Sequence, residues 1–114
     1  FLKNELKVRK DLPVFITETG WAHAEGLNYS PSFYQADSTA EFFRIAYEEY
    51  WLLDARVRAV TPFTILYDPP FDHFSWINED HVPYEHYEAV KSIKKVAGTP
   101  QFLVEKEVKI RRCE

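Results

Sequence analysis

Apolar positions change their period several times along this chain, and each change marks an element. In residues 1–10 (FLKNELKVRK), Phe1, Leu2, Leu6 and Val8 stand among charges, the pattern of the end of an amphipathic helix. Asp11-Leu12-Pro13 ends that helix, because a proline disfavours helical backbone in the residue before it. Val14-Phe15-Ile16-Thr17 is a continuous β-branched and aromatic run and reads as a first strand. Phe43, Ala46, Tyr47, Tyr50 and Leu53 then recur at helical spacing, and Glu41, Arg44 and Glu48 are spaced for ion pairs on another face. Ser38-Thr39-Ala40-Glu41 fits a capping box, which predicts a helix with Ser38 at the N-cap, running to about Ala55.

Strand character returns over Val57–Leu66 (VRAVTPFTIL), with Pro62 marking a bend or an unpaired donor. Pro83 suits the first turn of a last helix, whose apolar stripe is Ala89, Val90, Ile93, Val96 and Ala97. Gly98 and Pro100 stop it, and the even-numbered Phe102, Val104, Val108 and Ile110 predict a tail strand with one wet face. Two long connections, 19–37 and 67–82, carry turn formers and many aromatics. Loops of that length are uncommon in compact domains and usually functional.

The order is helix, strand, helix, strand, helix, with short returns and long excursions after each strand. This asymmetry predicts an α/β fold with parallel strands, whose long loops build the site at the C-terminal strand edge. Two parallel strands cannot cover both their faces, so a larger sheet is expected to supply the rest. The lack of any Met and the start at Phe1 likewise suggest a piece of a longer chain, or a trimmed product.

Composition narrows the function. Aromatic content is 17%, and the loop aromatics need a partner surface or a ligand. Net charge is -4 and there is no basic block, so nucleic-acid binding lacks its electrostatic footprint. No apolar run is long enough to span a bilayer, so no membrane partner is expected. The one cysteine, Cys113, forms no internal disulfide and reads as an exposed thiol.

The strongest chemical signal is residues 12–21, LPVFITETGW. A buried strand delivers Glu18 to its C-terminal end, beside Gly20 and Trp21. A carboxylate placed there is half of a glycosidase's catalytic pair, or else it caps the loop or pairs with an arginine. Trp21 and Trp76 each follow a strand, where an indole face either stacks on a sugar ring or packs against the rim of the fold. Trp51, in mid-helix, belongs in the core. His23 could hydrogen-bond substrate or support a neighbouring group. With His73, His81 and His86 it lacks metal-ligand spacing, so no metal is expected. Asp68 could approach Glu18, although its Asp-Pro-Pro context favours capping the backbone. No phosphate loop and no serine elbow is present, and no cofactor is expected.

Residues 13–21 (PVFITETGW) resemble the seventh strand of retaining TIM-barrel glycoside hydrolases, of the clan with catalytic glutamates after strands four and seven. Residues 57–66 with Phe74–Ile77 (FSWI) resemble the eighth strand and its loop. The ETGW portion is most similar to β-1,3-glucanase-like and cellulase-like members. The resemblance covers most of residues 12–97. It implies a partial (β/α)8 barrel: 1–10 the end of a helix, 12–56 the seventh unit, 57–98 the eighth, and 99–114 a tail. It also implies Glu18 as nucleophile, Trp76 as floor of the sugar subsite, Trp21 beside it, and His23 or Tyr67 assisting.

The clan's general acid, usually an Asn-Glu pair after the fourth strand, has no counterpart here. Asn4-Glu5 lies in the starting helix and Asn78-Glu79 in the last loop. Losing a proton-transfer partner costs on the order of a hundred- to ten-thousand-fold in rate, so these residues alone are expected to be nearly inactive. The expected partners are a β-linked carbohydrate and the rest of the barrel, with self-association through exposed strand edges. Localisation stays open, although polysaccharide substrates are usually extracellular. The alternatives are a non-catalytic carbohydrate-binding protein on a degenerate barrel and a small independent α/β domain.

Overall fold

The computed structural model describes residues 12–95. They form a small mixed α/β unit with two parallel strands and two helices. Strand β1 is Val14–Thr19 and strand β2 is Val57–Pro62. Helix α1 is Ala36–Ile45 and continues as a π-helical segment, Ala46–Trp51. A single 3-10 turn, Asp72–Phe74, interrupts the second long loop, and helix α2 is Glu85–Ser92. The predicted first helix of residues 1–10, the Val96-to-Pro100 helix end, the tail strand and Cys113 lie outside the described residues.

The core forms where α1 and α2 meet. Phe43, Tyr47, Val90 and Ile93 are buried together, and Trp21, Trp51, Leu52, Val60 and Trp76 pack around them. Trp51 thus lies where its mid-helix position predicted, edge-on to Tyr47 at 4.9 Å. The opposite face of the sheet is open among the described residues, and Phe15 in β1 is 59% exposed. An apolar strand residue with no cover is what a two-stranded parallel sheet leaves behind.

Five boundaries differ from expectation. Ser38 is not the N-cap. The helix starts at Ala36 after Gln35, and the Asp37 carboxylate accepts from the Ser38 amide at 2.6 Å. The start is set from outside the helix, since the Ala36 amide donates to Glu25 Oε2 at 2.9 Å. That carboxylate meets an otherwise orphaned donor at the positive end of the helix dipole. Glu41 does not reach back to cap; it pairs with Arg44, which also reaches Glu48 at 2.8 Å, as the spacing predicted.

The expected α-helix to Ala55 gives way to π geometry after Ile45, with the Leu52 amide donating to the Tyr47 carbonyl five residues back. The wider turn shifts the apolar face. Tyr50 and Leu53, expected inside, are 65% and 75% exposed. Strand β2 stops at Pro62, four residues short of Leu66. Beyond it the chain pairs with its own loop: Thr64 donates to the Phe74 carbonyl, and Trp76 donates to Thr64 and Ile65. Pro83 precedes the N-cap Tyr84 and so falls outside α2. That helix ends at Ser92, short of the predicted Ala97, where Ile93 turns extended and Lys95 Nζ donates to the Val90 and Ile93 carbonyls. A cationic side chain on the last carbonyls is a regular helix stop.

Phe43 is 1% exposed and touches Trp21, Trp76 and His86. Phe43→Ala is expected to cost about 3–5 kcal/mol in chemical denaturation; a loss under about 1 kcal/mol would mean the core is centred elsewhere.

Candidate functional site

Both long loops leave the same, C-terminal, edge of the parallel pair. Glu18 sits at an irregularity there. Between the pairs Ile16↔Val60 and Thr19↔Pro62, β1 advances three residues while β2 advances two. The extra residue is a β-bulge, a device that re-aims a side chain and is common beside active sites. The Thr61 hydroxyl spans the bulge, lying 3.1 Å from the Ile16 carbonyl and 2.6 Å from that of Thr17. Glu18 is exposed, and no hydrogen bond or ion pair joins it to another described residue.

Gly20 makes the turn that follows. Its φ is +151°, and a Cβ there would lie 3.1 Å from the Phe63 carbonyl oxygen. Phe63 in turn donates to the Thr19 carbonyl at 2.9 Å, so the two strand ends leave together. A side chain at Gly20 would strain this exit.

The two loops are joined by three histidines. The His23 amide donates to the His73 carbonyl at 2.8 Å, and His73 Nδ1 returns a bond to the His23 carbonyl at 2.9 Å. His23 Nε2 donates to the Ser75 carbonyl at 2.7 Å, and His86 Nε2 donates to that same oxygen at 3.1 Å. His23 Nδ1 faces Glu25 Oε2 at 3.3 Å. Nearby, Asp72 Oδ2 accepts from the Leu27 amide at 2.9 Å. Burial, and after it the charge of His23, hold the His86 imidazole at about 4, well below its usual range. Burial first, then Glu25, Asp72, Glu79 and Glu85, push the Tyr84 hydroxyl up.

Two clefts flank this junction. One, of about 470 Å³, is almost wholly apolar and runs along α1, lined by Thr19, Trp21, Tyr34, Phe42, Tyr50 and Trp51 among others. The other, of about 400 Å³, lies between the loops and is polar and acidic, lined by Tyr67, Asp68, Asp72, Asn78, Glu79 and Tyr84 among others.

The predicted site residues are therefore divided. Trp21 lines the apolar cleft, edge-on to Phe43 at 4.9 Å. Tyr67 is half exposed on the acidic cleft, against Phe63 and Phe71, and its amide donates to Ser75 Oγ. Trp76 is half-buried, held by Phe43 at 4.9 Å, His86 at 5.3 Å and Tyr87 at 6.5 Å, which is the packing alternative for that residue. His23 is fully buried, so the substrate contact expected of it is replaced by a structural one. Glu18 lines neither cleft. Asp68 lines the acidic cleft, and its carbonyl accepts from Phe71 to hold the turn.

Sequence reasoning missed Glu25, Ser75 and His86. Their signal is long-range: Ser75 acts through its carbonyl, which no sequence pattern marks. Among the described residues, no group of three His, Cys, Asp or Glu is arranged to hold a metal ion. Comparison with family models, with curated proteins and with solved structures finds no match.

Gly26 is the tightest point between the loops. A Cβ there would lie 2.5 Å from Asp72 Oδ2 and 2.9 Å from the His73 ring. Gly26→Ala is expected to destabilise the protein by about 1–3 kcal/mol in urea unfolding, with loss of near-UV signal from the loop aromatics. An unchanged midpoint would show that the loops part without cost.

Proposed function

We propose that this chain supplies the seventh and eighth β/α units of a (β/α)8 barrel in a retaining glycoside hydrolase acting on β-linked glucan-like chains, with Glu18 as nucleophile. One observation carries the reading: Glu18 stands exposed on a bulge at the C-terminal end of a parallel strand, where α/β folds do their chemistry. The open sheet face, with Phe15 uncovered, suits a sheet completed by further strands.

In this reading a Glu18 oxygen attacks the anomeric carbon and the glycosidic C–O bond breaks. The leaving oxygen takes a proton from an acid on another part of the barrel. Water then cleaves the glycosyl ester and restores the carboxylate. Trp21, fixed edge-on against Phe43, offers a rigid aromatic wall close to this edge. Trp76 supports the loop from beneath through its core contacts.

A second reading, a carbohydrate-binding protein without hydrolysis, is favoured by one observation. Trp21 and Tyr67 line clefts, whereas Glu18 lines neither.

Glu18→Gln in the full-length protein separates the two. The enzyme reading expects kcat to fall by about a thousand-fold or more with oligosaccharide binding kept. It also expects a 2-fluoroglycoside to leave a covalent adduct on Glu18 of the unsubstituted protein, visible by peptide mass. Binding without turnover in the unsubstituted protein, lost on Trp21→Ala and untouched by Glu18→Gln, would favour the binder.

A further inference from the structure

We propose that His23, Ser75 and His86 form an acid-sensitive latch, which ties the start of α2 to the junction of the two strand-to-helix loops at neutral pH and loosens that junction when His86 takes up a proton. The inference is independent of what the loops bind.

A carbonyl oxygen only accepts, so His23 and His86 must both carry hydrogen on Nε2 to share the Ser75 oxygen. Neutral His86 then keeps its lone pair on Nδ1, which is buried with no partner. An added proton would go to that nitrogen, where nothing accepts it. Such an orphaned donor is costly in an apolar site.

Charge adds to the cost. His23 Nδ1 faces the Glu25 carboxylate at 3.3 Å. The His23 ring centre lies 4.8 Å from that of His86, so positive charge on the one ring opposes charge on the other.

The surroundings offer little relief. From α1, His86 meets the apolar ring of Phe43, stacked at 6.0 Å. From the second loop it meets Trp76 and the Ser75 carbonyl, whose hydrogen bond is the one influence that favours the charged ring, while Asp72 is bound to the Leu27 amide. From the first loop it meets His23, behind which the Glu25 carboxylate is already engaged by Ala36. On its own segment it meets Tyr84, stacked at 5.8 Å, with Glu85 at the helix start.

The sign follows. The unfolded or unlatched imidazole takes its proton near 6.5, and the latched one near 4. More protons are bound in the open form between those values, so the latch weakens as pH falls from 6.5 towards 4. Release would part α2 from the Ser75 carbonyl and loosen the loop junction around Trp76, leaving the His23–His73 and Leu27–Asp72 bonds between the loops in place.

The test is a pH titration of the full-length protein, read by tryptophan fluorescence and by near- and far-UV circular dichroism. The expected result is a reversible loss of near-UV signal with its midpoint between pH 4 and 6.5, far-UV signal being retained. His86→Gln keeps an amide donor for the Ser75 carbonyl but takes no proton there, and is expected to remove the change from this range. Imidazole ¹⁵N NMR of the unsubstituted protein serves if that variant does not fold, and should show His86 with hydrogen on Nε2 at neutral pH. A His86 midpoint at or above 6.5, the same transition in His86→Gln, or simultaneous loss of far-UV signal would overturn the latch.

Discussion

The Ser75 carbonyl oxygen has two lone pairs, and both are taken by histidines from different parts of the chain. His23 comes from the loop after β1, and His86 from the first turn of α2. Because the acceptor is main chain, it cannot be re-aimed without moving the loop that bears it. The position of each loop therefore depends on the other. The His23–His73 exchange and the Asp72–Leu27 bond then fix the same pair of loops at neighbouring points. Remove the shared acceptor and two buried donors lose their partners at once, which is why this junction outweighs the exposed ion pairs on α1.

The aromatic core depends on that junction. Phe43 lies among Trp21, Trp76 and His86, so one ring from α1 touches both loops and the second helix. Edge-to-face contacts of this kind are directional as well as apolar. Many loop aromatics thus answer one another: Phe63, Tyr67 and Phe71 form one group, and Tyr34 meets Phe42. Glu18 stands apart from these groups, exposed at the end of β1.

Local patterns were legible in the sequence wherever the cause was local. The β-branched run at Val14 placed β1, the Glu41-Arg44-Glu48 spacing placed two ion pairs, and the helical stripe placed Phe43 and Tyr47 in the core. Failures came where a distant group won. Ser38 had the right chemistry for a cap, but Glu25 reached the Ala36 amide first. Tyr50 and Leu53 kept the right period for a regular helix, but the turn widened beneath them. The placing of Glu18 at the end of β1 was readable because the β-branched run and Gly20 lie beside it in sequence, whereas the bulge under it was not. His23 looked like a ligand-facing residue, since nothing near it in sequence announces Ser75.

Glu25 has a consequence for how the unit assembles. The free Ala36 amide at the start of helix α1 is met by a carboxylate eleven residues earlier in the chain. Starting a helix is the unfavourable step, because several dihedrals are fixed for a single bond. Here the carboxylate that stabilises the helix start also meets His23, so it is in place only when the loop in front of the helix is closed. The stability of the loop and that of the helix start are therefore coupled through one side chain.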